Sequence, residues 1–530
     1  MNNTELTAEP GNIHHYGTRV AVSLFVVMGL GASLIVAAVR DANVAVAGLA
    51  GLGACSAILA RYLDSRFNGT VAAALIDVLL LAWFGTTPLL SFWFRVPLER
   101  SLITYDRVIF ALVLVILVLC RTRIYSSDRR FKVTRFEIAW GLLSIAALLS
   151  VAANSTNIGY ATKIAVDSFV LPLLAFHFAR CHFDSDRYAK PLLWALVAIV
   201  LFLFVTGAYE YTSGVNLFQY KGSELMRDGE YRVNGPFASD SSYAIISLLL
   251  TLFLSSAPKL LNIRLDNSAR LLLTCAFAAG LAASLLPLFR VVAAALVVSW
   301  IILEAGTNKF RGRRHSQERI QEQETSSAFM RKSRAGRSLW LIAARVIVAA
   351  SLIVLALVRW DAVSGAASAE QRLVSPNSVY GRLATWEAAV VIATNHPLFG
   401  VGLSNYTDSF NAEWEEKSRL LEEDVELVVA DSPHSNPLWV AAELGVFAFI
   451  LYIAANVFLF VTGCRALARA TSTQARASAA CYVALVTAYW IPGLALTSGA
   501  YSDLNLYFFF LLGLLSRRMT NGFSSGMRQF

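Results

Sequence analysis

Leu271–Leu303 reads LLLTCAFAAGLAASLLPLFRVVAAALVVSWIIL, an apolar stretch interrupted mainly by Pro287 and Arg290. As one helix it would be about 50 Å long at ~1.5 Å per residue, far more than the ~30 Å of hydrocarbon in a bilayer. A single helix would also put the basic loops 258–270 and 307–338 on opposite sides, whereas Lys- and Arg-rich loops share the cytoplasmic side. Two short spans turning at Leu286–Arg290 satisfy both constraints. Their shortness predicts a shallow hairpin whose tip, with Arg290, lies below the outer surface.

The same pattern extends in both directions. Apolar runs lie at about 18–39, 43–60, 70–90, 104–120, 136–153, 162–180, 189–208, 239–257, 270–288, 289–306, 339–358, 437–462, 478–497 and 502–516, each near the ~20 residues that a span requires. Of the 530 residues, 56% are hydrophobic and 15% charged, against about a quarter charged in soluble domains. The reading is an all-α polytopic membrane protein of about fourteen transmembrane helices, one membrane domain over 1–530. Loop 307–338 carries nine basic residues against three glutamates, and 121–135 is similarly basic, with Asp128 its only acid. An even number of crossings separates them, so both are cytoplasmic, as are both termini. The net charge of +9 belongs to these loops and does not indicate nucleic acid. Two long segments, 209–238 and 359–436, then face outward, the second rich in acids from Glu413 to Asp431. The six cysteines show no disulfide or metal-ligand spacing, and no metal or cofactor is implied.

Several residues could carry chemistry. Arg290 suits bidentate contact with phosphate oxygens, although a snorkelling arginine at a helix end looks the same in sequence. Arg382 lies in Asn377–His396, where Leu383, Trp386, Val390 and Ala393 share one helical face, as in a helix lying along the interface with Trp386 as anchor. An ordinary interfacial arginine is the plainer alternative. His434, in Asp431-Ser-Pro-His-Ser-Asn-Pro437, stands at the mouth of a span and could accept a proton near neutrality, or could simply hydrogen-bond within its turn. Arg232 opens the span after 209–238. Glu443 and Asp167 are carboxylates inside spans, where charge is a functional candidate by default. His396–Gly402 reads as a turn ending the interfacial helix.

Gly381-Arg382-x3-Trp386, Asn395-His-Pro-Leu-Phe-Gly-Val-Gly402, and Pro433-His434-Ser-Asn-Pro leading to Glu443-Leu-Gly445 together resemble the O-antigen ligase and polymerase superfamily. Arg290 in Leu-Phe-Arg resembles the family's Ser-Arg element, with Phe289 replacing the serine. Ser435 replaces the commoner asparagine. Arg232 resembles the arginine of an Arg-x2-Gly-x-Phe pattern. The resemblance covers roughly 230–450. It implies a GT-C-like fold with a large helical periplasmic loop, and an inverting, metal-independent glycosyltransferase of the bacterial inner membrane. Its donor would be undecaprenyl-diphosphate-linked oligosaccharide, in exopolysaccharide or O-antigen (lipopolysaccharide) synthesis. Catalysis would fall to His434 as base with Arg382 and Arg290 on the diphosphate; Arg232, Arg290, Arg382, Trp386 and Glu443 would bind substrate. Chain-length regulator and flippase proteins are candidate partners. Polymerase and ligase readings both stand, with a transporter of anions or lipid-linked sugars as the rival class.

Overall fold

The computed structural model describes residues 70–95, 104–119, 133–218, 226–227, 230–231, 233–237, 239–287, 289–321, 377–412 and 432–527. The runs expected at 18–39, 43–60 and 339–358, most of the basic loop 121–135, the acidic stretch Glu413–Asp431 and Arg232 lie outside the described residues. Among these, eight helices are long and apolar enough to cross a membrane. The chain is an all-helical polytopic membrane protein, its only described strands being a two-residue antiparallel ribbon, β1 (Met226–Arg227) with β2 (Glu230–Tyr231).

The chain divides into two units. In the first, α1 (Thr70–Arg95) packs against α2 (Tyr105–Leu119). Trp83 sets this pair: its Nε1 donates to Asp106 Oδ1 at 2.7 Å and its ring meets Phe110 edge-on. The turn 182–188 belongs to the same unit, with Asp184 N donating to Asp77 Oδ1 at 2.6 Å.

The second unit contains α3 (Arg135–Asn154), α4 (Ile158–Cys181), α5 (Ala189–Ser213), α6 (Asp240–Leu260), α7 (Asn267–Leu285), α8 (Arg290–Gln321), α9 (Asn377–Asn395), α10 (Asn436–Arg469), α11 (Thr473–Gly493) and α12 (Ser502–Met527). Local chemistry sets the ends: Thr134 and Glu137 form a reciprocal capping box, and Asp266 and Ser472 each accept a backbone N–H of their own first turn. At the centre are α6 and α11. α6 packs against α5, α7, α8, α11 and α12, while α11 packs against α6, α8, α10 and α12. Alanines, with Ser478, line α11 and let neighbours approach closely: a Cβ on Gly306 would meet that of Ala480 at 2.6 Å, and one on Gly463 would meet Val483 at 2.7 Å.

The decisive stretch 271–303 does break into two helices, with the turn at 286–289. The helices do not form a shallow hairpin, however. α7 has 19 residues, about 28 Å at ~1.5 Å per residue, so its length already matches the hydrocarbon. α7 packs on α5 and α6, whereas α8 packs chiefly on α11. α8 also continues to Gln321, so the first part of the basic segment 307–338 is helical rather than a loop. Likewise α5 continues to Ser213, into the segment expected as the loop 209–238.

Candidate active site

Ser432-Pro-His-Ser leads into α10, with proline in its first turn, where the missing N–H is no loss. His434 is half-buried and adopts a left-handed backbone, φ +47°. Two residues later, the buried Asn436 fixes this entry. Its Oδ1 accepts from Gly499 N at 2.7 Å and its Nδ2 donates to Ser498 Oγ at 3.1 Å. Asn505 Nδ2 donates to Gly499 O, and Tyr489 OH donates to Asn505 Oδ1, both at 2.7 Å. A chain of satisfied polar groups in the helical core thus anchors the segment bearing His434.

Nine residues into α10 the helix breaks. Gly445 has φ +83° and ψ 175°, a region open essentially to glycine alone. A break at membrane depth strands backbone groups that no water can satisfy. The turn His396–Gly402 fills it: Val401 N donates to Ala442 O and Gly402 N to Glu443 O, both at 3.0 Å, while Val446 N donates to Pro397 O at 2.8 Å. A Cβ on Gly400 would collide with the Glu443 backbone, and one on Gly445 would meet Leu398 O at 2.5 Å. The turn therefore ends α9, as expected, and also splices α10.

Glu443 is buried, and its carboxylate is committed to this arrangement. Oε2 accepts from Trp439 Nε1 at 2.7 Å and Oε1 from Tyr406 N at 3.2 Å, and the backbone of Ser404 also hydrogen-bonds to it. Tyr406 OH donates to Thr385 O at 2.8 Å. Burial, and next the Glu443 carboxylate, push the Tyr406 hydroxyl above the usual tyrosine range, so it remains a donor.

Arg382 and Trp386 lie on α9, both half-buried. The face expected along the interface is largely distinct from the one that packs on protein. Thr385, Ala388, Ala389 and Ile392 pack with Tyr406, Phe410 and Ala442, while Leu383 and Val390 are about half exposed, at 49% and 51%. Small alanines let α9 lie close against α10, and the bulkier Leu383 and Val390 are left outside. Trp386 Nε1 is buried and has no hydrogen-bond partner among the described residues.

Arg290 is exposed at the first position of α8. Near the other end of that span, Gly306 lies against Ala480, and Arg476 Nε donates to Gly306 O at 2.8 Å. Sixteen residues of α8 cover about 24 Å at ~1.5 Å per residue, and α8 packs along α11. Arg290 is thereby carried toward the C-terminal end of α11, the end at which Asn436 meets Ser498. The turn before it adjoins a second anchored loop: Leu286 and Tyr243 both crowd Gly207. Three residues beyond Gly207, the buried carboxylate of Glu210 accepts Asn234 N at 2.9 Å, Gly235 N at 2.7 Å and Asn216 Nδ2 at 2.9 Å. Asn234 and Gly235 directly follow the Arg232-Val pair. Arg382 and His434 thus sit on directly packed elements, and Arg290 reaches the same end on a third.

Residues 271–453 match the family model described as O-antigen ligase. Over these residues the chain is similar to that family. This supports the O-antigen ligase/polymerase superfamily named from the motifs, and the family implies a glycosyl-transferring membrane enzyme acting on a lipid-linked glycan. No curated protein matches the chain. The ligase-like region contains Arg290, Arg382, Trp386, His434 and Glu443, whereas Arg232 and Asp167 precede it. Asp167 is buried in a π turn, Val166–Val170, inside α4; Trp140 Nε1 takes the Phe169 carbonyl of that turn at 2.9 Å.

Sequence reasoning missed Glu210, Asn436 and Asn505 as anchors. For Glu210 the signal was a lone carboxylate two residues past the expected end of a span. For Asn436 it was an amide between His434 and a helix-starting proline. It also assigned nothing to His177, which the fold brings beside Glu137 and Cys181, their ligand atoms within 4.8 Å of one another. Thr134 N and Oγ1, Arg180 Nη2 and His177 Nδ1 already occupy the Glu137 carboxylate, which leaves it little capacity for an ion. This is an ion-paired helix start.

Proposed function

We propose that this protein is a membrane glycosyltransferase that polymerises, or alternatively ligates, undecaprenyl-diphosphate-linked oligosaccharide at the periplasmic face of a bacterial inner membrane. The reading is supported by the place of His434, Arg382 and Arg290 within the family-matched segment and by the direct packing of α9, which bears Arg382, on α10, which His434 enters. His434 takes the proton of the acceptor hydroxyl as its oxygen forms a bond to the anomeric carbon. The bond from that carbon to the diphosphate breaks, and the electron pair leaves on the lipid diphosphate, so the anomeric centre inverts. Arg382 and Arg290 meet the charge developing there, a task that elsewhere can fall to a divalent metal. Arg290 stands at a helix N-terminus, where the dipole disfavours a cation. Helix stability therefore does not account for a cation at this position. Trp386, with its unpaired indole N–H, and Arg232 complete the binding residues. Glu443 acts by holding the spliced turn.

The test is turnover of a lipid-diphosphate oligosaccharide by purified protein without any ion gradient. His434→Ala should lose at least about a hundredfold in rate while remaining folded. Undiminished product from that variant would remove His434 as the base. Substrate movement without product would favour the transporter reading.

A further inference from the structure

We propose that the C-terminal end of α3 and the residues just after it, Ser150 to Thr156, form a positioning element for this reaction, although they precede the matched segment. The inference rests on reading His434 and Arg382 as reacting groups. His434 enters the half-helix Asn436–Leu444, nine residues cut from the rest of α10 at Gly445. So short a helix does not hold its own direction; Asn436 holds its start, and what fills the break holds its other end. Arg382 is tied to the same place, because α9 runs directly into the turn that does so.

The filling turn is itself seated on α3. Ser150 Oγ lies 2.8 Å from Phe399 O and 3.0 Å from Glu443 O, so one hydroxyl joins the turn to a carbonyl freed by the break. Asn154 Nδ2 donates to Gly400 O at 2.9 Å, and Asn405 Nδ2 donates to Asn154 O at 2.9 Å. Ser155 Oγ donates to Leu403 O at 3.2 Å, and Thr156 Oγ1 donates to Asn405 Oδ1 at 2.9 Å. A Cβ on Gly402 would stand 2.8 Å from the Asn154 carbonyl carbon, so the backbones touch there. Elsewhere α3 is an apolar helix, exposing Ile138, Leu142, Ile145 and Leu149. Its polar end matches the irregular backbone of the turn 396–402. Ser150 and Asn154 are positioning residues: they reach the reaction only through the turn and the half-helix.

The test uses full-length protein in nanodiscs, with Ser150→Ala, Asn154→Ala and the hydroxyl-preserving Ser150→Thr. Amide exchange of residues 397–403 should quicken about tenfold in both alanine variants, as loss of a hydrogen bond that seats the turn predicts, while α6 and α11 stay as in wild type. Turnover of undecaprenyl-diphosphate oligosaccharide should fall about tenfold in kcat with KM within about twofold, and Ser150→Thr should restore both readings. Unchanged exchange overturns the seat whatever the turnover. Faster exchange with undiminished kcat overturns its role in positioning. A wild-type protein that transfers no glycan fails the proposed function instead, and also overturns the positioning role; the exchange then judges only whether the seat exists.

Discussion

Two carboxylates, Glu443 and Glu210, show how single residues organise this molecule. Each is buried, each accepts at least two N–H groups, and each pins a loop that carries or adjoins a candidate arginine. Glu443 faces donors only. Glu443→Gln would turn an amide N–H₂ toward one of them, and Glu443→Ala would leave Trp439 Nε1 and Tyr406 N unpaired. A loss of about 2–4 kcal/mol is expected for the alanine variant, since a stranded buried donor costs about 1–3 kcal/mol. Thermal unfolding in detergent reads it directly; an unshifted midpoint would show that the loop does not depend on this carboxylate. In the sequence, Glu443 was conspicuous as a charge within a span. That it looks inward at Trp439, one turn earlier, and at a residue 37 positions earlier, needed the fold.

At the scale of elements, the break in α10 was only half legible. The run 437–462 reads as one span, and Glu-Leu-Gly within it is compatible with an unbroken helix, because isolated glycines are tolerated there. What decides otherwise is the partner turn, whose glycines at 400 and 402 mean little until the backbone they touch is known. Gly445→Ala should therefore cost at least about 1–3 kcal/mol from backbone strain alone, plus the collision with Leu398 O. The loss of turnover should exceed that of Gly463→Ala, whose contacts are with side chains that can shift. Equal activity in the two variants would argue against the break having a role. The α9 faces were legible only in part: spacing set the bulky Leu383 and Val390 on the face along the interface, and both are about half exposed, whereas the alanine face that packs on α10 was not singled out, because closeness between helices favours alanine.

For the whole molecule, hydropathy was a sufficient guide to the fold class, since spans need only length and apolarity. The packing of α8 and α10 on α11, and of α9 on α10, was not legible, because partner choice among apolar helices is set by surface fit rather than by hydropathy. The arginine-based reading makes a prediction at this scale. Turnover should persist, within about twofold, in excess chelator, measured as glycan lengthening by the purified protein. Collapse on chelation, with rescue by a divalent ion, would transfer the work assigned to Arg290 and Arg382 to a metal. Deleting the gene separates the two enzymatic readings: single repeats left on the surface indicate a polymerase, and polymer stranded on carrier lipid indicates a ligase.

The seat on α3 also bears on how the chain is made. Ser150 and Asn154 are threaded into the bilayer long before their partners exist, for Phe399 and Gly400 follow some 249 and 246 residues later. At ribosomal speeds of about 5–20 residues per second, that interval is about 12–50 seconds. Throughout it, a hydroxyl and a carboxamide face lipid or a chaperoning insertase with no turn to receive them. Nascent chains arrested before the turn emerges should therefore be the ones that membrane quality-control proteases find first.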